Sequence, residues 1–158
     1  FYLRAFAEEA LEDYESAYIH YYRSVYFEEF LSVSYEQIAR LDLRKADFAK
    51  ALEHINKAIE YNSLNHGLWS LKAAALRLNG DFASAEQAAE HALQLDALSP
   101  FAMNELILTL EERGKDNKKL KKELDNILLD DPQFYVELAC EYSNAGLYKD
   151  AIEILQQY

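Results

Sequence analysis

The chain has 158 residues, about one domain's worth, and half of it is apolar, enough for a sizeable core. Its formal net charge of −12 argues against nucleic acid or an anionic membrane as partner, because both are held by clustered cations. Acidity of this kind serves solubility and also suits a basic partner; the single cysteine, Cys140, excludes a disulfide framework and a thiolate zinc site.

The elements repeat along the chain. An alanine three residues after an aromatic occurs in LEDYESA (11–17), KADFAKA (45–51), NGDFASA (79–85) and AGLYKDA (145–151). Ala17 to Ala51 is 34 residues, Ala51 to Ala85 is 34, and Ala85 to Ala151 is 66, close to two further periods. That period predicts two helices per unit, with units at 1–31 (partial), about 32–65, 66–99, 100–131 and 132–158 (truncated).

In the first unit the spacing places Tyr14, Tyr18, Tyr21 and Tyr26 on one helical face, within a segment that also carries Tyr22, Phe27 and Phe30. This cluster is expected to pack between the first two hairpins with its phenol oxygens at the rim. The alternative is a platform for a sugar or for a partner's aromatic side chains. The second unit reads Tyr35, Ile38 and Ala39, then Phe48, Ala51, Ile55, Ala58 and Ile59. In the third, Trp69, Ala73 and Leu76 share a face, Gly80 and Asp81 interrupt, and Phe82, Ala85, Ala89, Ala92 and Leu93 mark a second helix. Glycine inside a helix costs roughly 1 kcal/mol relative to alanine, so this break is a turn: Gly80 supplies a left-handed residue and Asp81 caps the second helix. The fourth unit is irregular, with lysines at 118, 119, 121 and 122 where the alanine landmark belongs. The fifth returns to pattern with Tyr135, Leu138, Ala139 and Tyr142, then Gly146, Tyr148, Ala151 and Leu155.

These landmarks resemble the tetratricopeptide repeat, whose pattern is W-x2-L-G-x2-Y, then A-x3-F, then P. Trp69 matches the first landmark, Tyr135, Leu138, Ala139 and Tyr142 match the first four with substitutions, and Pro132 falls at the closing proline. The resemblance spans essentially the whole chain. It implies an all-α, right-handed α-solenoid of stacked antiparallel helical hairpins, a single domain over 1–158 with about ten helices. Three places depart from the family: Asp42 replaces the usual tyrosine, Ala97 the closing proline, and Pro100 comes three residues late. A different helical repeat of similar length, such as the RNA-reading pentatricopeptide class, is the main rival, and the acidity opposes it. Neither end carries a polar cap: Phe1, Tyr2, Leu3 and Phe6 stand at one, Ile152, Ile154 and Leu155 at the other. The chain is therefore expected to be a piece of a longer one, with end-to-end self-association of the piece as a further expectation. It begins at Phe1, so the lack of a leader says nothing about compartment, although the cytoplasm is favoured.

No catalytic constellation is legible. No HExxH occurs and no two of His20, His54, His66 and His91 lie one turn apart, so no metal site is expected. His20 and His54 fall at the same repeat position and are read as structural equivalents. Cys140 is expected to be buried or to line a groove wall. No glycine-rich phosphate loop is present, no cofactor is expected, and the reading is non-enzymatic.

In the tetratricopeptide family the first helix of each hairpin lines a concave groove. Carrying over its second, fifth, ninth, twelfth and thirteenth positions gives Val33, Glu36, Arg40, Leu43 and Arg44 in the second unit. It gives Gly67, Ser70, Ala74, Arg77 and Leu78 in the third, Phe101, Asn104, Leu108, Glu111 and Glu112 in the fourth, and Gln133, Val136, Cys140, Ser143 and Asn144 in the fifth. The resemblance implies a protein-interaction scaffold that takes a peptide, a protein domain or another region of the parent chain. The arginines would set register on a carboxylate, unless they pair with Glu36 and neighbouring acids. The Lys/Arg and Asn clamp by which some relatives hold a terminal carboxylate is missing: the fifth positions are Glu36, Ser70, Asn104 and Val136, and the ninth are Arg40, Ala74, Leu108 and Cys140. The stretch FYVELACEYSNAGLYKDAIEIL (134–155) is also similar to the helical tails of large bacterial proteins with a carbohydrate-related β-sandwich region, which implies an accessory arm as the alternative.

Overall fold

A computed structural model describes residues 1–157; Tyr158, expected near the end of the last helix, lies outside the described residues. All regular structure among those residues is helical: α1 (Tyr2–Ala10), α2 (Tyr14–Ser24), α3 (Leu31–Arg44), α4 (Phe48–Tyr61), α5 (His66–Leu78), α6 (Phe82–Leu95), α7 (Pro100–Glu112), α8 (Lys118–Leu128), α9 (Pro132–Asn144) and α10 (Tyr148–Gln157). A 3-10 turn, Glu28–Phe30, precedes α3. The chain divides into two compact units, Phe1–Leu64 and Asn65–Tyr158.

The turn between the two helices of a hairpin is built the same way throughout. Glu12, Ala46, Gly80 and Gly114 stand one period apart and all take left-handed backbone, with φ of 61°, 56°, 83° and 64°; Gly146 does so at 75°. Behind each, an amide reaches back five residues to a carbonyl: Asp13 to Glu8, Asp47 to Asp42, Asp81 to Leu76, Lys115 to Leu110 and Leu147 to Tyr142, all at 2.9–3.0 Å. This is the Schellman termination, which satisfies helix-end carbonyls that would otherwise be orphaned. The next helix is then capped by aspartate. Asp13, Asp47 and Asp81, again one period apart, accept from the amides of Ser16, Lys50 and Ser84. The cap expected at Asp81 is present, and the same logic extends to the other two.

In the first unit, α1 pairs with α2, α3 pairs with α4, and α3 packs on α2. The core joins Ala5, Ala17, Tyr21, Ile38 and Leu41, with Tyr2, Tyr14, Tyr18, Tyr22 and Tyr35 packed around it. The tyrosine cluster is thus interior packing, with one correction. α2 ends at Ser24, whose hydroxyl donates to the Tyr21 carbonyl at 2.6 Å and competes with the helix ladder. Tyr26 therefore lies beyond the helix, 87% exposed, and does not share the face of Tyr14, Tyr18 and Tyr21.

In the second unit, α5/α6, α7/α8 and α9/α10 are the hairpins. Small residues permit close approach: Ala73, Ala74, Ala75, Ala85, Ala89 and Ala92 are fully buried. α7 packs on both α5 and α6, whereas α9 is seated on α7 and α8 takes no comparable part. The lysine-rich sequence of α8 explains this. Leu124 and Leu128 alone are buried in that helix, so it offers little apolar surface, and its start lacks a side-chain cap. Pro100 and Pro132 occupy the same structural place, the first turn of α7 and α9, where a missing amide costs nothing. Pro132 thus opens a helix rather than closing a unit. In α10, Ala151 and Ile154 turn inward while Tyr148 and Leu155 face solvent.

Candidate functional site

Two sets of polar groups lie deep in the fold. The first belongs to the first unit. Glu8–His20 and Asp42–His54 are carboxylate–imidazole pairs at 2.6 Å, each spanning twelve residues and standing one period apart. His54 also bonds the hydroxyl of Tyr22, and Tyr18 donates to Asp42 at 3.1 Å. With Nδ1 donating to Asp42, Nε2 is left to accept the Tyr22 proton. This explains why an aspartate stands where the repeat pattern has tyrosine: Asp42 is the acceptor for a histidine one helix away. An acid–imidazole–hydroxyl chain has the form of a nucleophile relay, but its surroundings oppose that use. Asp42 and His54 are buried, and burial together with the Asp42 carboxylate pushes the Tyr22 phenol above its ordinary value. The array is a satisfied polar core.

The second set lies in the second unit, on residues expected at the groove. Arg77 reaches from α5 to Glu105 of α7 through two nitrogens, at 2.9 and 3.1 Å, and to Asp150 of α10 at 3.1 Å. Glu105 is fully buried and also accepts the Tyr142 hydroxyl at 2.6 Å; Asn104 donates to that hydroxyl at 2.7 Å. Burial works against the Arg77 charge, but the two carboxylates outweigh it and hold the guanidinium more firmly protonated than usual. Burial first, and Glu105 second, push the Tyr142 phenol well up, so it serves as a donor.

The arginines, leucines, Phe101 and Asn104 expected at the groove are also engaged or enclosed. Arg40 pairs with Glu36 one turn away at 2.8 Å. Arg44 lies 3.9 Å from Glu9 and 5.2 Å above the Tyr14 ring. Leu43, Phe101 and Asn104 are buried, and Leu78 and Leu108 are partly so. Phe101 meets Tyr142 edge to face, with ring centroids 4.7 Å apart. In the second unit, Arg77, Phe101 and Asn104 are thus all in contact with the chain's own last hairpin. Cys140, expected in a groove wall or core, is exposed on α9, and Val136 beside it is exposed as well.

A cavity of about 240 Å³ opens at the start of α5 and α7. It is lined by His66 and Gly67 of α5, by Asp96, Ser99, Pro100 and Phe101, and by Phe134, Glu137, Leu138 and Glu141 of α9. Gly67 and Phe101 hold the first of the five expected groove positions in the third and fourth repeats. The α9 residues escape the sequence reading, since their row is not the one the family pattern assigns to a groove. One signal was available for the network below it: Glu105 stands one period after Leu71, an acid in an apolar register. Among the described residues no group of His, Cys, Asp and Glu is arranged to hold a metal ion, and no helix is long and apolar enough to cross a membrane.

Neither a protein-family model nor a curated protein sequence matches the chain. Solved structures do match. The crystal structure of MamA aligns with a TM-score of 0.73 at 14% identity over 97% of this chain and 91% of that one. YrrB, described as a TPR protein with an unusual peptide-binding site, aligns at 0.67 and 14% identity over 99% of this chain and 81% of that one. A tetratricopeptide repeat protein from Parabacteroides merdae gives 0.73 at 17% identity over 97% of this chain and 60% of that one. The fold is the all-α tetratricopeptide-like repeat.

Proposed function

We propose that the chain is a non-enzymatic protein-interaction scaffold whose second unit receives a segment of another protein. The observation that carries this reading is the cavity at the head of α5 and α7, concave and walled by two phenylalanines and three carboxylates, within a repeat fold shared with peptide-binding YrrB. Arg40, Arg44 and Arg77 each stand beside an acid of the chain itself, so we place binding in this recess rather than in their row. The test is an array of twelve-residue peptides of acidic, neutral and basic composition, each with a scrambled control, titrated with the intact chain. Saturable binding of at least one sequence above its scramble is expected; a blank array rejects the reading.

A second reading, self-association, rests on Phe1, Leu3, Phe6 and Leu11, which stand exposed on and beside α1. Sedimentation from micromolar to hundreds of micromolar protein tests it: mass should rise with concentration and return to the monomer value in a Leu3→Lys/Phe6→Lys chain. The accessory-arm reading rests on resemblance alone.

A further inference from the structure

We infer that the cavity between α5, α7 and α9 binds a cationic side chain, arginine above lysine, presented by an extended segment of a basic partner protein. This rests on the peptide-binding reading above and names its chemistry.

Size gives the first argument. At about 240 Å³ the cavity falls below the roughly 300–1,000 Å³ of sites that enclose a whole small molecule, so it suits one long side chain of a larger ligand. Lining chemistry gives the second. Phe101 and Phe134 supply aromatic walls, and Phe134 is still 37% exposed, so its ring has surface left to cover. Asp96, Glu137 and Glu141 supply negative charge, and among the described residues no lysine or arginine lines the space. A planar guanidinium can stack on a phenylalanine face while its edge donates to carboxylates, which a compact ammonium does less well.

The existing partners of those carboxylates give the third. Asp96 accepts the backbone amide of Leu98 at 3.1 Å and faces a distant imidazole, His66 Nε2 at 3.6 Å. Glu137 accepts the neutral amide of Gln133 at 2.9 Å. Among the described residues none of the three acids is paired with a lysine or arginine. Elsewhere in this unit acids near an arginine take it up fully, as Glu105 and Asp150 take Arg77. The cavity acids are therefore still available to an incoming cation. The net charge of −12 adds long-range attraction for a basic segment, but it is not local to this site.

The probe is a fluorescein-labelled peptide of four Gly-Arg-Ala repeats, with an otherwise identical peptide in which arginine is replaced by neutral, nearly isosteric citrulline. Titration at 150 mM salt is expected to show at least tenfold weaker binding of the citrulline peptide. Glu137→Gln/Glu141→Gln and Phe134→Ala should each weaken the arginine peptide about tenfold with unchanged helical circular dichroism. Glu28→Gln/Glu29→Gln, which removes the same charge from exposed positions of the first unit, should leave it within twofold. Equal binding of both peptides overturns the cationic assignment and leaves the scaffold reading intact. Parent-like binding by the cavity variants, or equal weakening by the Glu28/Glu29 pair, overturns the site. If the arginine peptide and every peptide of the mixed array fail to bind, both readings fall.

Discussion

At the scale of single residues, the hairpin turn shows how one backbone requirement is met by unlike side chains. The left-handed position is Glu12 and Ala46 in the first unit and Gly80, Gly114 and Gly146 in the second. A residue with a Cβ pays for that conformation and glycine does not. At Gly80 an added Cβ would meet nothing within 4 Å, so the conformational term stands alone. Gly80→Ala is expected to lower stability by about 1 kcal/mol. Ala46→Gly should raise it by about 0.5 kcal/mol, since relief of the strained backbone is partly offset by the freer unfolded chain. Urea unfolding of both variants checks the pair. Shifts of the same sign would mean that the turns are not equivalent.

At the scale of elements, the period shows up in what starts each second helix. Asp13, Asp47 and Asp81 cap α2, α4 and α6, and all three carboxyls are held below their ordinary value, chiefly by the hydrogen bonds from Ser16, Lys50 and Ser84 respectively. A carboxyl lowered by folding stabilises the native state above its unfolded value and loses that contribution as pH falls through the folded one. Urea midpoints should therefore hold from neutral pH to about 5 and drop below about 4, where free aspartate is protonated. The Asp13→Asn/Asp47→Asn/Asp81→Asn chain should show a shallower drop, because asparagine caps without titrating. An equally steep acid limb in that chain would place the acid sensitivity elsewhere. The regular alanines, the turns and this aspartate cap obey local rules, and all were within reach of the sequence. The placement of α9 was not. It depends on how little apolar surface α8 offers and on the polar bonds of Tyr142 and Asp150, and no local pattern encodes those. For the same reason the groove residues could be numbered by register, yet their fate as buried or paired groups was invisible. Register gives a residue's place on its own helix, not which helix comes to lie over it.

At the scale of the molecule, the second unit ties its three hairpins together through one guanidinium. Arg77 on α5 holds Glu105 on α7 and Asp150 on α10, and Glu105 holds Tyr142 on α9. A buried pair of this kind gains little over well-packed apolar residues, yet removing one member strands the other's charge. Repetition suggests the repair. One period earlier Leu43 stands in the place of Arg77 and Leu71 in the place of Glu105, both buried. Arg77→Leu alone leaves Glu105 fully enclosed without its counter-ion and is expected to cost about 3–5 kcal/mol. Adding Glu105→Leu removes that stranded charge and should recover a large part of the loss, though Asp150 and the Tyr142 hydroxyl still lack their partners. Urea unfolding of the parent, the two single variants and the double measures the coupling. If the single losses simply add, Arg77 and Glu105 do not act as one link between the hairpins. The same energetics make Arg77→Ala a poor probe of partner binding: any loss of a ligand would come from loosening α9 and α10, and α9 carries one wall of the cavity. Substitutions at Phe134, Glu137 and Glu141, outside the network, separate recognition from the integrity of the unit.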